Sequence, residues 1–500
     1  MSQLTRADWQ AMSERIQLEG RAFINGKYVS AVSGDTFASI NPANGMPLAL
    51  IAGCDEQDAA LAVAHARDAF RQGAWSRLAP AERKRTLLKL VRLMEQHKEE
   101  LALLETLDMG KPISDSLHVD LPSAINCIGW NAEAIDKVYG EVAPTGQHSL
   151  GLVTREPLGV VAAIVPWNFP LMMSCWKIAP ALAAGNSVIL KPSEKSPLSA
   201  IRLAALAREA GIPDGVFQVL PGFGHTVGKA LALHNEVDCL AFTGSTRVGK
   251  QLTQYAGQSN LKRTFMECGG KSANIVCADA GDLDTIAREA AMAIYFNQGE
   301  VCIAGSRLLV ENSIKDELIE RIIAYAEQLQ PGDPLDPATR MGAIVDAAQL
   351  DTICGYVARG VDEGARLRMG GEPVLTDSGG HYFPPTLFDQ VNNRHTIARE
   401  EIFGPVLSVI GFDTLDEAIE IANDSPYGLA AAVWTKDLDK ALIASRRLES
   451  GQVYVNNYAG GDMTVPFGGV KQSGNGRDKS LHSLSEYSQL KTTWIALHGN

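Results

Sequence analysis

The chain has 500 residues, enough for two to four domains at roughly 150 residues each. Hydrophobic residues make up 46% and charged residues 21%, which is ordinary globular usage and excludes a disordered or low-complexity chain. The 45 Lys and Arg residues against 58 Asp and Glu give a net charge of −13. Nucleic acid is therefore not an expected partner, because binding its phosphates needs a broad positive surface.

The N-terminal residues and the cysteines show no pattern that is typical of a targeting segment or of a disulfide framework. Residues 1–20 mix charged and apolar side chains, and no apolar run in the chain approaches the roughly 20 residues of a membrane span. We therefore expect no signal peptide, no membrane partner and a cytoplasmic location. The eight cysteines include no C-x-x-C pair and are too sparse for a disulfide scaffold, so most of them are expected to be reduced and buried.

The first half of the chain changes its hydrophobic period. Residues 55–140 are predicted to be mainly helical, including one helix over 80–107, and strands are predicted at 152–154 and 159–165. Short apolar strands then alternate with helices. The strands are predicted at 187–190, 216–220, 239–242 and 273–277, and the helices at 198–210, 226–234 and 247–255. This alternation indicates right-handed crossovers and a parallel sheet covered on both faces.

A second alternating set follows residue 302. Strands are predicted at 306–310, 406–412, 430–435 and 452–456, and helices at 313–329, 415–423 and 439–447. The apolar, β-branched segment 490–497 predicts a terminal strand that pairs with another strand, because an open edge is a liability. The chain is therefore predicted to form two α/β domains and a β-rich tail.

One glycine motif has three interpretations. The segment from Gly244 to Lys250 fits G-x-x-x-x-G-K, but Gln251 follows where a P-loop needs a hydroxyl for Mg²⁺. A P-loop ATPase is therefore disfavoured, and no metal site is predicted. The segment is also suited to a helix N-terminus after a strand, where free N–H groups and the helix dipole can hold a pyrophosphate. A plain helix cap is the alternative.

Three further segments contain candidate catalytic groups. Cys302 lies in a loop between a helix and a strand and could be a nucleophile, although most isolated cysteines are inert. Glu267 precedes two glycines and a buried strand, where a desolvated carboxylate can act as a general base, unless it caps a helix or joins a salt bridge. Asn168, in a stiff turn between two prolines, suits a fixed amide donor or an Asx turn.

Together these segments resemble the NAD(P)-dependent aldehyde dehydrogenase superfamily over nearly the whole chain. The matching motifs, in family order, are Pro-Trp-Asn-Phe-Pro at 166–170, Lys-Pro-Ser-Glu at 191–194, Phe-Thr-Gly-Ser-Thr at 242–246, Glu-Cys-Gly-Gly-Lys-Ser at 267–272, Asn-Gln-Gly-Glu-Val-Cys at 297–302, Glu-Glu-Ile-Phe-Gly-Pro at 400–405 and Pro-Phe-Gly-Gly at 466–469. Any one motif could arise by chance, but the ordered set is very specific.

The resemblance implies an aldehyde dehydrogenase-like α/β fold with two doubly wound domains and a small β segment. The Rossmann-like NAD-binding domain would comprise residues 1–140 and 159–267, and the catalytic domain residues 268–480. Residues 141–158 and 481–500 would form the oligomerisation segment, in which a strand is added across subunits. The resemblance therefore also implies a homodimer or a homotetramer.

The resemblance implies roles for the candidate residues. Cys302 would attack the aldehyde to give a thiohemiacetal and then a thioester, with Asn168 and the Cys302 backbone N–H as the oxyanion hole. Glu267 would activate the water that releases a free acid. Asp478 stands where many relatives have Glu, which puts a proton-relay role in question. The implied cofactor is NAD, held by Trp167, Lys191, Glu194, Gly244, Ser245, Glu401 and Phe403.

Glu194 would set the cofactor preference. A carboxylate at this position can bond the 2′-hydroxyl of the adenosine ribose and would repel a 2′-phosphate, which favours NAD over NADP.

Within the family, the chain resembles bacterial enzymes of polyamine and arginine breakdown that oxidise γ-glutamyl-γ-aminobutyraldehyde or 4-guanidinobutyraldehyde. The residues that suggest this lie at 130–137, 191–198 and above all 456–466. In the family's architecture, Met173, Trp176, Phe296 and Phe467 would line an apolar tunnel. Asp462, after two glycines, would attract an ammonium or guanidinium, unless it only caps a loop.

Two alternatives stay open. The chain could be a broad-specificity aliphatic or betaine-type aldehyde dehydrogenase, or a non-catalytic relative kept for structural or binding duty. A relative that has lost its activity would have no chemical reason to keep Cys302, Glu267 and Asn168 together, so an active enzyme is favoured.

Overall fold

Two large, mostly parallel sheets form the body of the structure, a computed structural model that describes residues 4–498. Each sheet has apolar clusters on both faces, and three smaller antiparallel sheets complete the fold. The predicted α/β class is therefore confirmed. No helix within residues 4–498 combines the length and apolarity needed to cross a membrane.

The first sheet has eight strands, of which the central ones are parallel. Val160–Ile164 is completely buried, and its alternate side chains join the cores on opposite faces, as its unbroken apolar sequence predicts. In spatial order the strands are Lys27–Val29, Ala22–Ile24, Phe217–Val219, Ser187–Lys191, Val160–Ile164, Cys239–Thr243, Arg263–Glu267 and Gly474–Asn475.

The helices of the first half cover both faces of this sheet, and Glu56–Gln72 shows how they are delimited. It begins at a capping box between Asp55 and Asp58 and ends at Gly73 in the left-handed conformation. The α-helices of this half are Arg6–Arg15, Glu56–Gln72, Pro80–Gln96, Lys98–Met109, Ile113–Asp115, Leu121–Ala134, Pro170–Ala184, Leu198–Ala210, Lys229–Leu233 and Thr246–Gln258. Short π or 3₁₀ turns occur at Ser116–Asp120, Ile135–Lys137 and Gly224–Gly228.

Two helices differ from their predictions. The single helix predicted over 80–107 is wrong, because His97 has φ −107° and ψ 21° and separates two helices at this point. The helix predicted over 226–234 is replaced by the π turn Gly224–Gly228 and the short helix Lys229–Leu233. In both places the hydrophobic period continues across a break in the backbone, so periodicity alone does not reveal it.

The second sheet has seven strands, and only its first pair is antiparallel. In spatial order they are Arg366–Met369, Thr386–Asp389, Val406–Phe412, Arg307–Glu311, Ala273–Val276, Ala430–Trp434 and Gln452–Val455. The α-helices of this half are Leu283–Tyr295, Lys315–Ala326, Ala347–Asp362, Thr396–Arg399, Leu415–Asn423, Leu438–Arg447 and Ser480–Glu486, with a 3₁₀ turn at Thr376–Ser378.

The smaller sheets include the terminal strand. Ser488–Ala496 pairs antiparallel with Ser149–Pro157, which in turn pairs with Glu141–Ala143. The predicted terminal strand is thus paired within its own chain, but all of its residues after Ser488 are exposed. The other two small sheets are Thr36–Ile40 with Pro47–Ala52 and Tyr427–Gly428 with Val470–Lys471.

Arg307 is a buried cation that connects the second sheet to its surroundings. Its guanidinium donates to the carbonyl of Lys271 at 2.9 Å and to the carbonyls of Ile421 and Ala422 at 3.0 and 2.9 Å. The last two carbonyls belong to the final turn of Leu415–Asn423, where helix carbonyls lack internal partners. Burial lowers the pKa of Arg307 to about 10, so the side chain remains charged at neutral pH.

We predict that Arg307→Met destabilises the protein by about 3 kcal/mol or more, because it leaves several buried carbonyls without donors. Arg307→Lys should rescue little, since an ammonium lacks the planar fork that reaches these acceptors together. The measurement is the urea midpoint of unfolding. Arg85→Lys, at a side chain that is 75% exposed, is the control. Equal midpoints for the Arg307 and Arg85 variants would contradict this role.

Candidate active site

A cavity of about 520 Å³ lies at the carboxyl ends of three neighbouring strands of the first sheet. The strand Val160–Ile164 leads into Asn168, Cys239–Thr243 ends at the cavity, and Arg263–Glu267 supplies Glu267 as its last residue. The chain proceeds from Val160–Ile164 toward one edge of the sheet and later adds its next strands on the other side. Ligands of such sheets bind at this switch point, so the fold itself favours a site here.

Cys302 reaches the cavity through an unusual turn. After the helix Leu283–Tyr295, Asn297 and Gln298 have φ values of 50° and 57°, which side chains rarely adopt, and Gly299 follows at 73°. A Cβ on Gly299 would lie 2.3 Å from the backbone of Gly404, so this position requires glycine. The turn redirects the chain and brings Cys302, a free and partly exposed thiol, onto the cavity wall.

Asn168 is held by the same turn. Its side chain is only 3% exposed, and its Nδ2 donates to the carbonyl of Glu300 at 2.8 Å. Its own carbonyl accepts a hydrogen bond from Asn297 Nδ2 at 3.2 Å. A side-chain amide has two N–H groups, so the second one can serve a ligand in the cavity.

Glu267 is a desolvated carboxyl group. It is 4% exposed, and neither of its oxygens has a hydrogen-bond partner within the described part of the chain. Burial raises its pKa well above the usual range, and Asp478 adds to this shift while Lys177 and Arg477 oppose it. A Cβ on Gly468 would lie 2.7 Å from Glu267 Oε1, which shows how closely the backbone approaches this carboxyl group. Such a group binds a proton readily.

The same environment acts on the thiol. Burial raises the pKa of Cys302 to about 12, and the charges of Glu401 and Glu267 contribute in the same direction. The resting thiol is therefore protonated at neutral pH, and a reaction there needs a group that takes its proton.

Lys177 and Asp478 form a buried ion pair beside this site, with 2.5 Å between Nζ and Oδ2. Lys177 was not identified from the sequence. A signal was present, since a lysine within the otherwise apolar helix Pro170–Ala184 requires a buried partner. Asp478, which the sequence left without an assigned role, is that partner and also lines the cavity.

The same cavity is lined by five of the predicted cofactor residues: Trp167, Gly244, Ser245, Glu401 and Phe403. Ser245 is the N-cap of Thr246–Gln258, so the first N–H groups of that helix lie at the cavity, as predicted. Phe403, with φ 57°, packs edge-on against Trp167 with ring centroids 5.2 Å apart. Gln349 holds this loop by donating to the carbonyl of Phe403 at 2.8 Å.

Glu401 depends on a glycine. Its Oε1 accepts a hydrogen bond from the Gly270 backbone N–H at 3.1 Å, and a Cβ on Gly269 would lie 1.9 Å from Oε2. Burial raises the pKa of Glu401 to about 7. The carboxyl group can therefore approach only because residue 269 has no side chain.

The remaining two predicted cofactor residues lie outside the lining of this cavity. Lys191 is buried, and its ammonium donates to the carbonyl of Pro192 at 2.6 Å and to Glu194 at 3.4 Å.

The polar groups of the predicted cofactor site fit a dinucleotide. The open helix N-terminus can hold a pyrophosphate, and the carboxylates can bond ribose hydroxyls. Thr243 Oγ1 is a buried hydroxyl on the cavity wall with no partner within residues 4–498.

Four of the five predicted substrate residues line the cavity, and the fifth, Asp462, does not. Met173, Trp176, Phe296 and Phe467 line the cavity, and Gly460 and Gly461 border it. Asp462 is exposed and does not line it. Its Oδ1 accepts hydrogen bonds from the Thr464 N–H at 2.8 Å and the Thr464 hydroxyl at 2.5 Å, which is the loop-capping geometry. Lys479, which was not identified from the sequence, lies on the cavity wall instead.

Comparison with known proteins shows the family of this chain. Residues 28–493 match the model of the aldehyde dehydrogenase family. The NADP/NAD-dependent aldehyde dehydrogenase PuuC of Escherichia coli is 56% identical over 98% of each chain. The indole-3-acetaldehyde dehydrogenase AldA of P. syringae, in complex with NAD⁺ and IAA, is 63% identical with a TM-score of 0.98, covering 99% of this chain and 100% of that one.

A third relative is a γ-glutamyl-γ-aminobutyraldehyde dehydrogenase of Burkholderia cenocepacia. It is 59% identical with a TM-score of 0.97, and the match covers 99% of this chain and 100% of that one. This chain belongs to the aldehyde dehydrogenase family. It is an NAD(P)-dependent aldehyde dehydrogenase with the aldehyde dehydrogenase fold, it acts on a small-molecule aldehyde, and NAD is its cofactor.

We predict that iodoacetamide labels Cys302 about tenfold faster for each pH unit between pH 7 and 10 in the absence of cofactor. The raised pKa leaves a small thiolate fraction that grows with pH throughout this range. The label on the peptide containing Cys302 is quantified by mass spectrometry, with Cys302→Ala as the control. A rate that levels off below pH 9 would contradict the desolvated thiol.

Proposed function

We propose that the protein oxidises an ω-amino, ω-guanidino or γ-glutamylamino aldehyde to its carboxylic acid with NAD, in polyamine or arginine catabolism. The observation that carries the proposal is that one cavity is lined by Cys302, Asn168 and Glu267 together with Ser245 and Glu401. An aldehyde carbon placed in this cavity is within reach of a nucleophile, a hydrogen-bond donor, a base and the cofactor.

In the first half-reaction, the Cys302 thiol gives its proton to the Glu267 carboxylate, which passes it on to solvent water, and the Cys302 sulfur bonds to the carbonyl carbon. The carbonyl oxygen becomes an oxyanion that accepts hydrogen bonds from Asn168 Nδ2 and from the Cys302 backbone N–H, a contact of the kind worth about 2.7–4 kcal/mol per donor. Ser245 and Glu401 would hold NAD, which would supply the acceptor for the hydride on the substrate carbon. The acyl group then remains on sulfur as a thioester.

In the second half-reaction, Glu267 takes a proton from water, and the resulting hydroxide attacks the thioester to release the free acid and the Cys302 thiol. The high pKa of Glu267 makes it a strong base once it is ionised. Burial is the largest cause of the raised pKa of Glu267, and the neighbouring pair modifies it, since Asp478 disfavours the ionised form and Lys177 favours it.

Glu194 supports a preference for NAD over NADP. Its carboxylate lies 3.4 Å from the Lys191 ammonium, and its side chain is 36% exposed. From this position it can bond a ribose 2′-hydroxyl and would repel a 2′-phosphate.

The substrate class is supported by named relatives. Besides PuuC and the B. cenocepacia enzyme, an aminoacetaldehyde dehydrogenase of Pseudomonas aeruginosa is 47% identical over 98% of this chain. A second candidate substrate is an aromatic aldehyde such as indole-3-acetaldehyde, the substrate named for the P. syringae relative. The aromatic side chains of Phe169, Trp176, Phe296 and Phe467 on the cavity wall favour it.

We propose that the chain assembles as a homodimer or homotetramer through residues 141–158 and 481–500. Leu490 and Trp494 on the terminal strand are 60% and 63% exposed, and Val142 of the same sheet is 69% exposed. Such exposed apolar side chains on an edge strand favour pairing with another subunit. The cytoplasmic location expected from the sequence stays a prediction.

The predicted assembly can be measured by light scattering at micromolar concentration. We expect two or four times the chain mass of 53.6 kDa for the wild type. The pair Leu490→Lys and Trp494→Lys should lower this mass, because the charges oppose burial of the strand. A wild-type mass equal to that of one chain would contradict the assembly.

The catalytic roles are tested by stopped-flow measurement of NADH at 340 nm with an aldehyde panel. Cys302→Ala should abolish oxidation while NAD binding, measured by calorimetry, persists. Glu267→Gln should give a burst of NADH and then a very slow steady state, because an amide cannot accept the proton of water. Turnover of Cys302→Ala above about a tenth of wild type would refute the nucleophile, since its removal is expected to cost several powers of ten.

A uniform loss of both phases in Glu267→Gln would show that Glu267 only shapes the loop. A panel in which indole-3-acetaldehyde exceeds every amino-, guanidino- and γ-glutamylamino aldehyde in kcat/KM would select the second candidate substrate instead.

A further inference from the structure

The substrate end of the cavity has one cationic side chain among the described residues that line it, Lys479. The other charged residues on the wall are Glu267, Glu401 and Asp478. Asp478 is neutralised by Lys177 at 2.5 Å. Within residues 4–498, Lys479 has no carboxylate oxygen within 4.0 Å, so its ammonium is not engaged in a salt bridge of the protein.

A second donor lies next to this ammonium. Trp176 is 9% exposed and lines the same cavity, and its Nε1–H is buried with no acceptor among the described residues. The Lys479 ammonium lies 5.3 Å from the centroid of the Trp176 ring. Buried N–H groups in native structures nearly always have partners, so an unpartnered one on a cavity wall indicates an acceptor supplied by a ligand.

The backbone of Lys479 has a strained conformation that neighbouring hydrogen bonds hold in place. Its φ of 62° and ψ of 179° fall in a region that only glycine occupies readily. On one side, Phe467 and Asp478 exchange two backbone hydrogen bonds of 2.8 Å, and on the other Ser480 donates to the carbonyl of Met463 at 2.9 Å. These bonds fix a strained lysine on the wall, at a position where glycine would be relaxed.

The charges around this place disfavour a cationic substrate end. Asp462, whose negative charge partly offsets the lowering of the Lys479 pKa by burial, is exposed, caps the turn at Thr464 and does not line the cavity. A free ammonium or guanidinium bound at this place would therefore lie close to the Lys479 ammonium. Like charges in a partly desolvated site repel each other strongly.

We propose that Lys479 and the Trp176 Nε1–H bind a carboxylate at the end of the aldehyde that is remote from the reacting carbon. This inference rests on the proposed function and narrows its substrate class. A γ-glutamylamino aldehyde carries such a carboxylate on its glutamyl end, beside an α-ammonium, so this end has no net charge, whereas 4-aminobutyraldehyde and 4-guanidinobutyraldehyde end in a cation alone. The apolar side chains between Cys302 and Lys479 would contact the methylene chain.

The test compares two aldehydes that differ in one group: γ-glutamylaminobutyraldehyde and its analogue with the glutamyl α-carboxylate replaced by a carboxamide. For each enzyme the ratio of the two kcat/KM values is measured, so that any general loss of activity cancels. We expect the wild type to prefer the carboxylate by about tenfold or more, because hydrogen bonds to charged groups are stronger than neutral ones.

Four variants separate charge from shape. Lys479→Met keeps the length of the side chain and should bring the ratio close to one, as should Lys479→Gln. Lys479→Arg should retain the preference. Trp176→Phe keeps an aromatic ring but loses the N–H, so kcat/KM should fall for both analogues, whose oxygens can each accept that bond. Lys436→Met, at an exposed lysine away from the cavity, is the matched control and should leave the ratio unchanged.

A wild-type ratio near one, a ratio that Lys479→Met and Lys479→Gln leave unchanged, or a higher kcat/KM for 4-aminobutyraldehyde than for the γ-glutamylated form would overturn the inference. If simple aldehydes such as butyraldehyde are still oxidised when one of these results is found, the aldehyde dehydrogenase activity is supported and only the inference fails. No NADH from any aldehyde, butyraldehyde included, would instead overturn the proposed function and this inference with it.

Discussion

Desolvation of ionisable groups in one cavity is the constraint on which the chemistry of this chain depends. Cys302, Glu267 and Glu401 all have raised pKa values, and burial is the largest cause in each case. In water none of them would be unusual. In this cavity, each keeps its proton to a higher pH than it would in water, so its ionised form is favoured only when a neighbour or a ligand supplies a compensating charge or accepts the proton.

Several glycines and strained residues allow the backbone to pack closely around this cavity. Gly269 and Gly299 occupy places where a Cβ would collide with Glu401 and with the backbone of Gly404. Asn297 and Gln298 accept left-handed backbone angles so that Cys302 faces Asn168 and the cavity. The backbone is strained where the site needs two chain segments to lie close together, and the surrounding structure maintains these strained conformations.

The sequence predicted the central strands and many helices, because buried parallel strands are apolar runs. It also proposed Cys302, Glu267 and Asn168 as candidate catalytic residues, and the structure places all three on one cavity. It missed Ala22–Ile24 and Gly474–Asn475, whose two or three residues carry no period, and also Arg263–Glu267, which begins and ends with a charged residue. It also missed Lys479, since its place on the wall results from an antiparallel pairing of Phe467 with Asp478 that no local pattern encodes. Asp462 was expected in the tunnel, but Thr464 holds it outside.

The central claim is that one desolvated cavity contains both the nucleophile and the base of a hydrolysed thioester. It is tested most directly by intact-protein and peptide mass spectrometry of Glu267→Gln, quenched in acid after mixing with NAD and excess aldehyde. The account predicts a mass increase equal to the aldehyde less the hydride and proton lost, carried by the peptide that contains Cys302. An unmodified peptide after a full burst of NADH, or an acyl group on Cys268 instead, would contradict it.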